Sequence, residues 1–160
     1  MLLGAAGTGK SSLVQRITKN YFSEEYNISL GIGFNRLIYH INENKVVEFQ
    51  LYDCPGNERF SGLLHRFTKF MKIIVLCYDC SSHASFDEMK SYYVDYAKKM
   101  LVFIVGLKSD ITKREVDVEA VKEYADQYDI PIFGDLSCAT GVRAEDFVHY
   151  LGDFYLRHFE

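Results

Sequence analysis

The stretch that decides the fold is Gly4-Ala5-Ala6-Gly7-Thr8-Gly9-Lys10-Ser11, set between the apolar stub "MLL" and the amphipathic run Ser11 to Lys19. It fits G-x-x-x-x-G-K-[ST] at every position, and it stands where that pattern has physical meaning, between a strand and a helix. Glycines let the backbone curl so that successive N–H groups point inward and make an anion nest. The helix that follows adds its positive end. Lys10 can reach the outer phosphates of a nucleoside triphosphate, and the Ser11 hydroxyl can reach a Mg²⁺ ion. A chance glycine turn would not bring both flanks into agreement.

Working outward, apolar runs alternate with helical patterns. "GFNRLIYHI" and "KVVEFQLYD" read as strands joined by the polar turn "NENK". In the second, Val47, Phe49 and Leu51 alternate with Glu48, Gln50 and Tyr52, as in a strand with one buried side. "KIIVLCYD" and "LVFIVGL" are nearly continuous apolar runs, suited to strands covered on both faces of a parallel sheet. Between them, Ser85 and Glu88 have the spacing of a capping box and place a helix start at Ser85. "VEAVKEYADQY" puts Val118, Val121, Ala125 and Tyr128 on one helical face. "IPIF" reads as a sixth strand. Phe147, Tyr150, Leu151, Phe154 and Tyr155 follow helical spacing to the end. The order β-α-β-β-α-β-α-β-α-β-α implies an α/β domain over residues 1–160. Its sheet is six-stranded and mostly parallel, with helices on both faces and one antiparallel edge strand. Ligands of such sheets bind beyond the carboxyl ends of the strands.

The bulk properties narrow the partners. The 160 residues carry a net charge of −4 and form no basic stripe, which argues against nucleic acid. No apolar run approaches the roughly 18–20 residues of a membrane span, and no signal peptide is visible. Cys54, Cys77, Cys80 and Cys138 do not resemble a secreted disulfide framework and fit the reducing cytosol. Cys77 and Cys80 form a C-x-x-C, but their odd spacing on a strand sends them to opposite faces, and no second pair completes a zinc site. The five histidines are scattered and read as structural or solvent-facing.

Three further stretches lie at strand ends. "YDCPGNERF" contains Asp53-x-x-Gly56, where a carboxylate can hold Mg²⁺ through water and a glycine N–H can meet a γ-phosphate. "IVGLKSD" contains Lys108 and Asp110. A buried Asp110 could accept from guanine N1–H and its 2-amino group, donors that adenine lacks. "LSCATG" follows the last strand.

With these in place the chain resembles the Ras superfamily of small GTPases, and its Rab branch most closely. "FSEEYNISLGIGF" is similar to F-x-x-x-Y-x-x-T-I-G-x-D-F, "LYDCPGNERF" to I-W-D-T-A-G-Q-E-R-F, "IVLCYDCSSHASF" to the run ending V-Y-D-x-x-x-x-x-S-F, "IVGLKSD" to V-G-N-K-x-D and "LSCATG" to T-S-A-K-T-G. The resemblance covers essentially the whole chain and implies the P-loop NTPase fold, with GTP or GDP and Mg²⁺ as cofactors. By position it implies that Gly4, Ala6 and the stretch Gly7, Thr8, Gly9, Lys10, Ser11 and Ser12 hold phosphates, and that Ser11, Ser29 and Asp53 serve the metal. It places Phe22 edge-on to the base, Lys108 along the ribose and base, and Asp110 on guanine. The backbone of Cys138, flanked by Ser137 and Ala139, would meet the guanine carbonyl. Catalysis would rest on Lys10, Gly56 and Asn57.

The departures sit at the same places. Asn57 stands for the family's glutamine, which orients the attacking water in the Ras and Gα cases of phosphoryl transfer. Its amide is one methylene nearer the backbone, and a displacement of about 1 Å can cost roughly a hundredfold in rate. Leu107 stands for the asparagine of N-K-x-D and cannot hydrogen-bond guanine, a loss of about 1–3 kcal/mol in binding. Ala139 stands for the lysine of S-A-K. The expected function is a Rab-like switch in vesicle trafficking with slow hydrolysis, which changes the order of Phe22–Gly33 and Asp53–Lys69 with nucleotide. It would be a cytoplasmic monomer that meets effectors, an exchange factor and a GAP through surfaces including Ile32, Phe34 and Tyr52. Membrane contact would need a lipidated tail, and no cysteine follows Cys138. A GTP-binding scaffold with little hydrolysis and a P-loop kinase using ATP are the alternatives. The first strand is short, and Phe86 to Val105 is shorter than the resemblance implies.

Overall fold

The computed structural model describes every residue except Tyr26, Ile28 and Asn57, and of Glu58 the backbone alone. The chain forms β1 (Leu2–Leu3), α1 (Lys10–Lys19), β2 (Gly33–Asn42), β3 (Lys45–Asp53), α2 (Ser61–Thr68), β4 (Ile73–Asp79), α3 (His83–Tyr92), β5 (Leu101–Leu107), α4 (Val118–Tyr128), β6 (Ile132–Asp135) and α5 (Ala144–Phe159). A 3₁₀ turn (Glu58–Phe60) leads into α2, and a π-helical turn (Tyr93–Ala97) closes α3.

The strands lie in the order β2-β3-β1-β4-β5-β6. β1 runs parallel to β3 and β4, β5 to β4 and β6, and only β2 is antiparallel, at one edge. This is the α/β architecture expected from the sequence, and the alternation along the central strands explains it. In β4, Ile74, Leu76 and Tyr78 face one layer while Ile73, Val75 and Cys77 face the other. The first layer is covered by α2, α3 and α4 through Leu64, Phe86, Met89, Val121 and Ala125. The second is covered by α1 and α5 through Leu13, Val14, Phe147, Leu151 and Phe154. Strands apolar on both sides can sit only where helices cover both sides.

Cys77 and Cys80 do fall in opposite layers, and burial pushes both thiols up to about 12, so they are neither paired nor ionised. Two local expectations need correction. α3 starts at His83, not Ser85, because the Ser82 side chain accepts from the Ser85 N–H at 3.2 Å and takes the cap. Val118 is exposed: it occupies the first turn of α4 beside the Asp117 cap, short of the layer that Val121 and Ala125 enter.

Because β1 lies between β3 and β4, the connections from its neighbours diverge above it. The crevice this opens at the carboxyl ends is the topological switch point of the sheet.

Candidate functional site: a phosphate cradle joined to a base-side loop

The crevice holds a cavity of about 670 Å³. Its floor is the turn from β1 to α1. Gly9 occupies the N-cap of α1 at φ 109°, a left-handed conformation open to glycine, and no side chain caps the helix. α3 and α4 are capped by Ser82 and Asp117. The uncapped first turn of α1 leaves N–H donors and the positive end of the helix facing the cavity. Ala6, Gly7, Gly9, Lys10, Ser11 and Ser12 line it. Gly4 and Thr8 sit behind this lining, where the buried Thr8 hydroxyl donates to the Ala5 carbonyl at 2.7 Å and braces the turn.

Lys10 is buried, and its ammonium donates to the carbonyls of Gly4 at 2.7 Å and Ala5 at 2.8 Å. Desolvation lowers its pKa, with Cys77 and Asp53 acting against that shift. A cation held by neutral carbonyls is incompletely compensated, and a phosphate is a stronger partner.

Ser11, Ser29 and Asp53 converge, although they come from α1, the following loop and the end of β3. The hydroxyls of Ser11 and Ser29 lie 3.2 Å apart. Burial raises the Asp53 carboxyl pKa, offset by the Ser11 hydroxyl and the Lys10 ammonium. Its Oδ1 is buried with no hydrogen-bond partner. A buried carboxylate oxygen without a partner, next to two hydroxyls, suits a hard divalent cation that keeps several waters. Among the described residues no group of three or more His, Cys, Asp or Glu side chains is placed to hold a metal ion.

Gly56 is seated directly on the cradle. A Cβ added there would fall 2.2 Å from the Ala6 nitrogen, so only glycine permits the approach. Asn57 lies outside the described residues.

At the opposite end the cavity is lined by Leu107, Lys108, Asp110, Ile111, Cys138 and Ala139, with Phe22 contributed from beyond α1. Phe22 is half-buried against the α1/α5 layer, so it serves the core as well as the cavity. Leu107 is fully buried; a Cβ on Gly9 would lie 3.6 Å from its Cδ1 and 3.9 Å from the Lys108 Cε. Apolar packing joins the two loops here. Lys108 adopts a left-handed φ of 62°, and its ammonium pairs with Asp79 at 2.7 Å. Burial alone would raise the Asp79 carboxyl pKa, but Lys108 and the hydroxyl and amide of Ser81 outweigh it and hold the value below the usual range. Asp110 is exposed, not buried as expected. One of its oxygens accepts from the Ser137 hydroxyl at 2.6 Å. Ser137 is buried behind the wall and also accepts the Thr140 N–H at 3.1 Å.

Sequence reasoning missed Asp79, which lies at a strand end like Asp53 and could have been found by that rule. It also missed Arg16, whose contacts to Cys138 and Ala139 lie more than a hundred positions away and leave no local signal.

The sequence profile of the Ras family matches residues 1–153. The chain belongs to the Ras family. It is 32% identical to the Ras-like GTP-binding protein RYL2 of Yarrowia lipolytica, across 91% of this chain and 72% of that one. It is 34% identical to the Ras-related protein RabC of Dictyostelium discoideum, across 79% of this chain and 68% of that one. It is 30% identical to human Ras-related protein Rab-27B, across 100% of this chain and 80% of that one. The chain is thus a Rab-like small GTPase by family. No helix among the described residues is long and apolar enough to cross a membrane.

Proposed function

We propose that residues 1–160 act as one guanine-nucleotide switch of the trafficking type, loaded with GTP or GDP and Mg²⁺, with slow intrinsic hydrolysis. The observation that carries this is the convergence of Ser11, Ser29 and the unpartnered Asp53 oxygen beside the uncapped start of α1. Ser11, Ser29 and Asp53 would hold Mg²⁺, which screens phosphate charge when bound. Lys10 and the N–H groups of Gly7 to Ser12 would bind the phosphates, and Gly56 would give its N–H to the γ-phosphate. Phe22, Lys108, Asp110 and the Cys138–Ala139 backbone would hold guanosine, with Ser137 orienting Asp110. Asn57 would orient water from a shorter stem, the reason for the slow rate.

Effectors, an exchange factor and a GAP would read the switch segments. Phe34 is 49% exposed and packs edge-on to Tyr52, which packs in turn on Phe67 of α2. Such an aromatic face links both segments to one docking surface. Cytoplasmic residence with peripheral membrane contact goes with this reading.

The second reading, a GTP-loaded scaffold with little turnover, is favoured by Leu107, whose buried apolar side chain cannot contribute the polar contact expected at the base. Mass spectrometry of nucleotide released from heat-denatured protein tests loading; adenosine nucleotides there would sink both readings. A single-turnover assay, with and without a partner GAP, separates them. Slow hydrolysis that Asn57→Gln accelerates supports the switch, and none under any condition supports the scaffold.

A further inference from the structure

We propose that Arg16 is a positioning residue for base recognition: from α1 it holds the loop Ser137–Gly141 with its amides turned to the cavity. The proposal rests on the guanine reading of that cavity. Arg16 Nε donates to the Cys138 carbonyl at 2.7 Å, and Nη2 donates to the Ala139 carbonyl at 3.0 Å. Nη1 is held by the Asn20 side-chain oxygen at 3.0 Å, at the C-cap of the same helix. The planar fork is therefore anchored at one edge and presents two donors to two consecutive carbonyls.

Peptide planarity gives this contact its consequence. No cis bond occurs among the described residues, so the Cys138 carbonyl and the Ala139 N–H point in opposite directions across one rigid plane. Arg16 draws the carbonyl toward α1 and thereby turns the amide away from it. Neither the Cys138 nor the Ala139 amide donates to another described group, and both residues line the cavity. The next plane carries the effect further. With the Ala139 carbonyl on Arg16, the Thr140 N–H meets the Ser137 hydroxyl at 3.1 Å, and that hydroxyl donates to Asp110 at 2.6 Å. One guanidinium thus fixes the Ala139 amide and, through Ser137, the carboxylate that would read guanine, while the Cys138 amide is oriented by the plane whose carbonyl, that of Ser137, accepts from the Gly141 N–H at 2.9 Å. Leu107 packs against Gly9 through apolar atoms, and Arg16 gives a polar tie between the phosphate helix and this loop.

The test compares GDP with purine riboside 5′-diphosphate, which keeps ribose and phosphates but lacks the 6-oxo and 2-amino groups. Affinities are measured by displacement of a fluorescent GDP from wild type, Arg16→Gln and Arg16→Lys, with unfolding midpoints taken alongside. Arg16→Gln should weaken GDP roughly ten- to a hundredfold and leave the analogue nearly unchanged. Arg16→Lys keeps the charge without the fork and should fall between; it also serves if Arg16→Gln is too unstable to purify. Equal weakening of both ligands would mean that Arg16 merely braces α1 and would overturn the proposal, as would an unchanged GDP affinity. If wild type itself binds the analogue as tightly as GDP, the guanine reading fails and this proposal with it. If wild type prefers GDP and Arg16→Gln keeps that preference in full, only the proposal fails.

Discussion

The two ends of the cavity are built differently. The phosphate end is built around backbone, an uncapped helix start, a turn shaped by Gly9 and Gly56 seated on Ala6, with the Lys10 ammonium and the Ser11, Ser29 and Asp53 oxygens set against it. The base end is made of side chains that reach across the fold, with Lys108 held by Asp79, Asp110 by Ser137, and the loop carbonyls by Arg16. A backbone-built site tolerates little change, because no rotamer can replace a main-chain donor. A side-chain-built site can lose one contact and retain others, and Leu107 and Ala139, where the resemblance implies an asparagine and a lysine, both stand there.

This contrast predicts graded responses. Lys10→Ala should cause the largest, lowering affinity for GTP roughly a hundred- to ten-thousandfold and for any competing triphosphate equally, since of a bound nucleotide the ammonium would meet only the phosphates. Equilibrium titration checks this, and a loss that depended on the base would break the division between the ends. Asp110→Ala should come next. It should reduce the GDP-over-ADP preference roughly ten- to a hundredfold while ADP affinity stays level. Leu107→Asn should do less and in the opposite direction, tightening GDP by up to about tenfold at some expense of thermal stability. A variant that binds no better would show that the base end has no place for that amide.

Asp79→Asn should give the smallest change, a GDP affinity loss of roughly threefold, because Lys108 is screened by solvent. It also sharpens the comparison through pH. The Asp79 carboxyl lies below its ordinary value in the folded protein, so its pairing stabilises the fold above about pH 4 and is lost as pH falls through the folded value. Urea unfolding should find wild type more stable than Asp79→Asn at pH 7, with the gap closing toward pH 3.

The same division explains what could be read from sequence. The inner places of β4 and β5 were legible, because their unbroken apolar runs need cover on both faces; the order of the other strands was not. The phosphate end was legible because glycine spacing is a local property, and Asp53 because strand ends face the crevice. Asp110 sits in the expected loop, but its exposure depends on how far the loop after β5 stands off the sheet, which no local pattern encodes. The α3 start was misplaced by two residues through a choice among serines, where Ser82 wins because its extended backbone lets its oxygen turn back onto the Ser85 N–H. Arg16 reads as one basic residue in the last turn of an amphipathic helix. Its role emerges only when β6 brings Cys138 beside it.

The contact between Gly56 and Ala6 has a mechanical side. Two stretches of main chain touch with no side chain between them, so there is no rotamer to yield and no slack to absorb a shove. Gly56 hangs from the end of β3 and feeds, through the 3₁₀ turn, into α2 and Phe67, which bears on Tyr52. A push on Gly56 from the cradle would therefore find no side chain to absorb it, much as a keystone pushed from below lifts the course of stones above it.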